Sequence, residues 1–335
     1  MSPRRNVVGR PGLLATVAAV SLLLAGCGSG GGSPTTGSST GTTTTTSATT
    51  STTTTLPGTG HPSVTLGDKN TTEQFIIGEL YDLALSAQGF SVTLTRNIGP
   101  PAVSYQALEQ GNLNLYPEYL NVWNSQVVHD QHAHGSVAQA FEVGQTWAAE
   151  HTLLLLQPSP GSDTDGIAVT TAFARSHHLR TLADLGRLSP TLSLGAPLQF
   201  THGSTLPDLE SAYGLTPAQT STVVIGDQYK DLLAGKVRAA FVQTTDGELA
   251  TSQFRLLTDP KHVNGFGNIV PVVTASTVAA EGSVFVETLN RVDMLLTTQV
   301  LRVLNAQVDV DHMDPLTVAK QFLEQNGLLS ASTAP

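Results

Sequence analysis

The 335-residue chain has a single cysteine, Cys27, so no intrachain disulfide can form. Charge is sparse: Asp, Glu, Lys and Arg make up 13% of the residues, and aromatic residues only 5%. Three of the 16 Lys and Arg (Arg4, Arg5 and Arg10) precede Cys27, where no acidic residue occurs, so 13 basic residues face 26 acidic ones beyond it, a net −13. That balance argues against nucleic-acid binding, which needs clustered Lys and Arg to neutralise phosphates. It leaves room for cationic or zwitterionic ligands. Catalytic signatures are missing as well: there is no Gly-x-Ser-x-Gly elbow, no Walker loop and no His-Glu-x-x-His. The chain reads as a non-enzyme that needs no cofactor.

What is present begins with a leader. Arg4, Arg5 and Arg10 flank the apolar run from Gly12 to Gly26. This is the layout of a signal peptide, and the run falls short of the about 20 residues that span a bilayer. It ends in Leu24-Ala25-Gly26-Cys27, which resembles the bacterial lipobox. Cleavage before Cys27 and diacylation of its thiol would place the protein on the outer face of the cytoplasmic membrane. Two acyl chains, at about 0.8 kcal/mol per buried methylene, hold where one does not. Residues 28–61 read as a disordered tether. Up to residue 60 they carry no charge and are almost all Gly, Ser and Thr, too little apolar surface to offset the entropy of ordering. A coil of that length lets the body float about 30 Å above the lipid.

From Ser63 onward strand and helix signals alternate, the pattern of an α/β protein with crossover connections and a largely parallel sheet. Ser63 to Leu66 reads as a strand. Asn70 reads as the N-cap of a helix with Glu73 closing a capping box. Phe75, Ile76, Leu80, Leu83 and Ala84 form its apolar stripe and Gly89 its stop. Two later segments share one build. Tyr105 to Gly111 and Tyr229 to Gly235 are each an amphipathic helix ended by glycine, followed by strands at Asn112 to Tyr116 and Lys236 to Val242. Polar tetrads come next, Tyr116-Pro117-Glu118-Tyr119 and Gln243-Thr244-Thr245-Asp246. Ligands of open α/β sheets bind outside the carboxyl ends of strands, so both tetrads would face one cleft between two lobes. The expected division is residues 62–166 and 267–335 for lobe 1 and 167–266 for lobe 2. Asp165 to Val169 and Asn268 to Val273 cross between them, and helices near Val284 to Leu296 and Leu316 to Glu324 complete lobe 1.

Four motifs then resemble one family: Gly67-Asp68-Lys69-Asn70-Thr71-Thr72-Glu73-Gln74, Ala107-Leu108 through Tyr116-Pro117-Glu118-Tyr119, Tyr229 through Thr245-Asp246-Gly247, and Asn305-Ala306-Gln307-Val308-Asp309. The sequence is similar to the solute-binding proteins of ABC importers for glycine betaine, carnitine and choline. The resemblance implies a two-lobed periplasmic-binding-protein-like (type II) fold. It also implies an ABC permease with its ATPase subunit as partners, and a small solute held by aromatic rings and a carboxylate-binding Lys and Arg. Carried over by position, Lys69 matches the first-loop Lys, Tyr119 a cage ring and Asp163 the residue two before the hinge-strand aromatic. That aromatic is replaced by Asp165, the one before Thr-Thr-Asp by Gln243, and a further one by Gly267. His202 stands for the Arg, and Thr71 for the loop Phe. A cage short of three rings loses about 0.5–2 kcal/mol per ring, and Asp163, Asp165, Gln243 and Thr244 point to a more polar ligand.

Asp246 is an alternative N-cap. His129, His132 and His134 form a separate candidate, because closely spaced imidazoles can bind zinc. The rivals to a transport receptor are therefore a metal-binding receptor working through that loop, a surface sensor or adhesion protein reusing the fold, and an exported hydrolase.

Overall fold

The computed structural model describes residues 55–198, 200 and 205–330. The leader, Cys27, residues 28–54 of the tether and His202 lie outside the described residues. The last residues assigned to the tether are packed instead. The Gly58 amide donates to the Gln88 carbonyl at 2.8 Å, His61 Nδ1 meets the Ala280 carbonyl at 3.0 Å, and the His61 ring stands edge-on to Phe90. Composition carried a trace of this, since Leu56, Pro57 and His61 differ from the Gly, Ser and Thr before them.

The described residues hold strands β1 Ser63–Gly67, β2 Ser91–Thr95, β3 Leu115–Tyr119, β4 Leu153–Leu155, β5 Asp165–Thr170, β6 Ser193–Ala196, β7 Gln219–Thr222, β8 Ala239–Gln243, β9 Phe254–Leu256 and β10 Ile269–Thr274. They form two five-stranded sheets, β2-β1-β3-β10-β4 and β7-β6-β8-β5-β9. The two orders are equivalent, and the two similar helix-glycine-strand segments place β3 and β8 at the same position in each. The sheets are mixed rather than largely parallel. β1 lies parallel to β2 and β3, and β6 to β7 and β8, while β10 and β5 run antiparallel to both of their neighbours. The reason is topological: β5 and β10 are the strands by which the chain arrives from the other sheet. Ile269, which opens β10, pairs with Tyr119 at the carboxyl end of β3. Asp165, which opens β5, pairs with Gln243 at the carboxyl end of β8. Both crossings therefore join the carboxyl ends of the two sheets.

The first helix, Thr72–Ala87, starts one residue later than the capping pattern suggests. Thr71 is the N-cap, and its hydroxyl accepts from the Gln74 amide at 3.3 Å. Glu73 closes no capping box and is spent elsewhere. The helix buries Ile76, Ile77, Leu80, Tyr81, Ala84 and Leu85 against the sheet and helices Ser283–Asp293 and Pro315–Gln325. Each such aliphatic side chain contributes about 1.5–3 kcal/mol. A second core, with Ile167, Leu185, Leu194, Leu209 and Phe241, underlies the other sheet.

One ionisable group sits inside the first core. Asp293 is fully buried, takes the Tyr81 hydroxyl at 2.6 Å on Oδ1, and leaves Oδ2 without a partner. Burial holds its carboxyl well above the ordinary range near 3.8. The folded chain therefore keeps a proton that the unfolded chain releases, and this group's share of stability falls as pH rises above the ordinary carboxylate value. Asp293→Asn removes that loss. Urea unfolding should show the variant gaining on the wild type between pH 5 and pH 8, and parallel stability curves would refute the assignment.

Candidate functional site

The site is built from the residues at and just past the strand ends where the two sheets meet. β1 ends at Gly67, and Lys69 lies two residues beyond. Its Nζ pairs with Glu118 Oε2 and lies 5.6 Å from the Tyr116 ring centre. Glu118 is 0% exposed, and its other oxygen accepts the Tyr119 amide at 2.9 Å. Tyr116 to Tyr119 do not come after the strand, as the sequence pattern suggested, but lie within β3. That is why Glu118 is buried and needs a cation. Tyr119 at the strand end donates its hydroxyl to Glu73 Oε1 at 2.9 Å.

Glu73 ties the two sheets together. Its Oε2 accepts from Asn305 Nδ2 at 2.8 Å, and the same amide nitrogen lies 2.9 Å from the Thr245 carbonyl just after β8. Asn305 belongs to Thr298–Asp309, a helix that no periodic pattern singled out. From that helix Arg302 Nε donates to the Thr244 carbonyl at 2.8 Å, and Thr298 Oγ1 serves the Ser162 amide at 3.0 Å. Gly247 abuts it so closely that a Cβ would lie 2.6 Å from Ala306 Cα. The motif Asn305-Ala306-Gln307-Val308-Asp309 was the one signal that could have found this contact.

The first crossing carries Asp163 and Asp165. Thr244 Oγ1 accepts from the Thr164 amide at 2.9 Å and reaches the Ser162 carbonyl at 3.1 Å and Asp163 Oδ1 at 3.4 Å. Thr244 thus fastens the crossing rather than pointing free. Burial, and secondly the negative charge of Glu73, push Asp163 well above its ordinary range. Glu73 is also raised, mainly by burial. Asp165 Oδ1 accepts from Gln243 Nε2 at 3.0 Å, and Thr205 Oγ1 lies 3.4 Å from Oδ2. Burial raises Asp165 too. Asp246 does not cap with its side chain. Its Oδ2 accepts the Tyr229 hydroxyl at 2.8 Å and the Gln243 amide at 3.1 Å, and burial pushes it up to about 6.

The second crossing closes the other side. Asn121 Nδ2 donates to the Asn264 carbonyl at 3.2 Å, and Asn264 Nδ2 to the Asp165 carbonyl at 2.9 Å. Two residues past Tyr119, lobe 1 is thereby linked to the start of β5. Gly267 donates to Ser162 Oγ at 3.0 Å and accepts from the Asp163 amide at 2.9 Å. A Cβ there would fall on the Asp163 carbonyl, so no side chain of any kind fits. Lys69, Tyr119, Asp163, Asp165, Gln243 and Thr244 thus gather at the carboxyl ends of the two sheets, and Thr71 is exposed at the cap above them. Nothing in the sequence marked Thr205, Asn264 or Arg302.

The His-rich loop stands apart. Asp130 takes His132 Nδ1 on one oxygen and His134 Nε2 on the other, while His129 ends its helical turn in a left-handed conformation at φ 60°. The carboxylate thus occupies one ring nitrogen of His132 and one of His134. Among the described residues no group of three His, Cys, Asp or Glu is placed to hold a metal ion.

Residues 62–325 match the family model described as the substrate binding domain of the ABC-type glycine betaine transport system. The chain belongs to this family. As a substrate-binding domain it is 30% identical over 287 residues to "Glycine betaine-binding protein YehZ" of Escherichia coli, covering 82% of this chain and 93% of that one. It is 25% identical over 270 residues to "Ergothioneine transport permease/ergothioneine binding protein EgtU" of Helicobacter pylori, of which it spans 48%. Among solved structures, "Apo YehZ" from E. coli superposes with a TM-score of 0.67 at 27% identity, covering 79% and 99% of the two chains. A glycine betaine/carnitine/choline ABC transporter structure shares the fold, with a TM-score of 0.73 at 22% identity. The protein is the substrate-binding component of an ABC importer, and such components are extracytoplasmic solute binders rather than enzymes. No described helix is long and apolar enough to cross a membrane.

Proposed function

We propose that this protein is a lipid-anchored receptor that captures a small zwitterionic or polar solute between its two sheets and delivers it to an ABC permease driven by its ATPase. The supporting observation is the convergence of Tyr119, Asp165 and Gln243 at the carboxyl ends joined by two crossings, the connection that a hinge between two lobes requires. Lys69, Thr71, Asp163 and Thr244 frame that crevice, Cys27 carries the acyl anchor, and residues 28–54 are the leash. The lobes divide at the crossings, near residues 166 and 267. A solute touching both lobes shifts the opening equilibrium only by its differential affinity for the two states.

A thermal-shift panel of betaine, choline, carnitine, amino acids, polyamines and sugars tests the reading. A binder at 100 times its dissociation constant adds about 2.7 kcal/mol. No shift with any member, together with turnover of a chromogenic ester, would refute it in favour of the hydrolase. Mass spectrometry of the membrane fraction should find the mature chain starting at an acylated Cys27.

A further inference from the structure

We propose that the solute carries a hydrogen-bond-donating cation, a primary ammonium or a guanidinium, and that the Asp165 carboxylate is its counter-charge, with the Gln243 amide and the Thr205 hydroxyl beside it. This rests on the crevice reading above and names the ligand chemistry of that same site.

The first support is how the charges around the crevice are spent. Lys69 is committed to Glu118, and Arg302 donates to the Thr244 carbonyl. Asp165 differs. Its side-chain partners, Gln243 Nε2 and Thr205 Oγ1, are neutral, and among the described residues no Lys, Arg or His lies within ion-pair distance of it. An ionised carboxylate offers about four lone-pair sites, and two are taken. The Gln243 amide oxygen accepts from no described residue, so a donor pointed at Asp165 would find a second acceptor next to it. Burial already disfavours the Asp165 charge, so an entering cation relieves a cost rather than adding one.

The second support is what the crevice lacks. A quaternary ammonium donates no hydrogen bond and is held by ring faces. Tyr119 at the end of β3 has its hydroxyl occupied by Glu73. Position 267 has no room for any side chain. An N-methylated cation would leave the lone pairs of Asp165 and Gln243 covered and unsatisfied, the penalty that makes polar sites discriminate sharply.

The test is isothermal titration of the full mature chain with two methylation ladders. One runs from glycine through N-methylglycine and N,N-dimethylglycine to glycine betaine, the other from 4-aminobutanoate to its trimethylated form, with arginine and agmatine alongside. We expect an N–H-bearing member to bind at least tenfold more tightly than its trimethylated counterpart. Asp165→Asn should lose at least tenfold for that member and almost nothing for the trimethylated one. Affinity of the wild type should also fall as pH drops into the range where Asp165 takes up a proton. Trimethylated members binding as tightly as their amines overturns the proposal while leaving the receptor reading intact. Binding by no member overturns both. The ladders on the unaltered chain decide the matter even where Asp165→Asn fails to fold.

Discussion

Gly267→Ala is expected to cost roughly 3 kcal/mol or more, at the severe end for a single methyl group. The added Cβ would meet the Asp163 carbonyl, a backbone atom that cannot swing aside as a flexible side chain would. Relief requires the two crossing segments to separate. Their separation breaks the Asp163-to-Gly267 backbone bond and the Ser162 Oγ contact together. Urea unfolding should show a midpoint far below wild type, and a cost under 1 kcal/mol would mean that the crossings are not so closely paired in solution. The variant should also lose affinity for any solute found by the panel, because the crossings set the spacing of Tyr119 and Asp165.

Lys69→Ala should be nearly as damaging, at about 3–5 kcal/mol, because it strands the Glu118 carboxylate in the interior. Most of that cost should vanish in the double variant. Lys69→Met with Glu118→Gln removes both charges, keeps an acceptor for the Tyr119 amide and should restore most of the loss, since a buried pair replaced as a unit is often close to neutral. A double-mutant cycle measures the coupling. Additive single effects would show that the pair is open to water. The double variant also separates fold from function: if Lys69 serves the solute directly, stability returns while affinity does not.

Much of this architecture was legible in the sequence. The helix-glycine-strand repeat foretold two equivalent lobes because a left-handed glycine after an amphipathic helix is a local device, visible in Gly111 and Gly235 at φ 72° and 69°. Strand positions drifted. Leu115 to Tyr119 starts three residues beyond the expected Asn112, because Pro117 and Glu118 look like loop residues. They are tolerated in β3 through the Lys69 pair and through β10, which pairs proline with proline at Pro117 and Pro271. The antiparallel sense of β5 and β10 was not legible at all, since it depends on which sheet the chain comes from. The inter-lobe role of Glu73, Asn305 and Thr245 is likewise a meeting of distant residues, Asn305 reaching Glu73 across 232 positions and Thr245 across 60, which no local pattern carries.

The packing of Leu56 to His61 has a practical corollary. These residues lie against Gln88, Phe90 and Ala280, by the start of β1 at Ser63 and away from its carboxyl end at Gly67, beyond which Lys69 lies. A dye or reporter attached at Leu56, which is exposed, is therefore carried at the opposite end of β1 from Lys69. A fluorophore meant to sense lobe motion belongs elsewhere, near the crossings that join the two sheets.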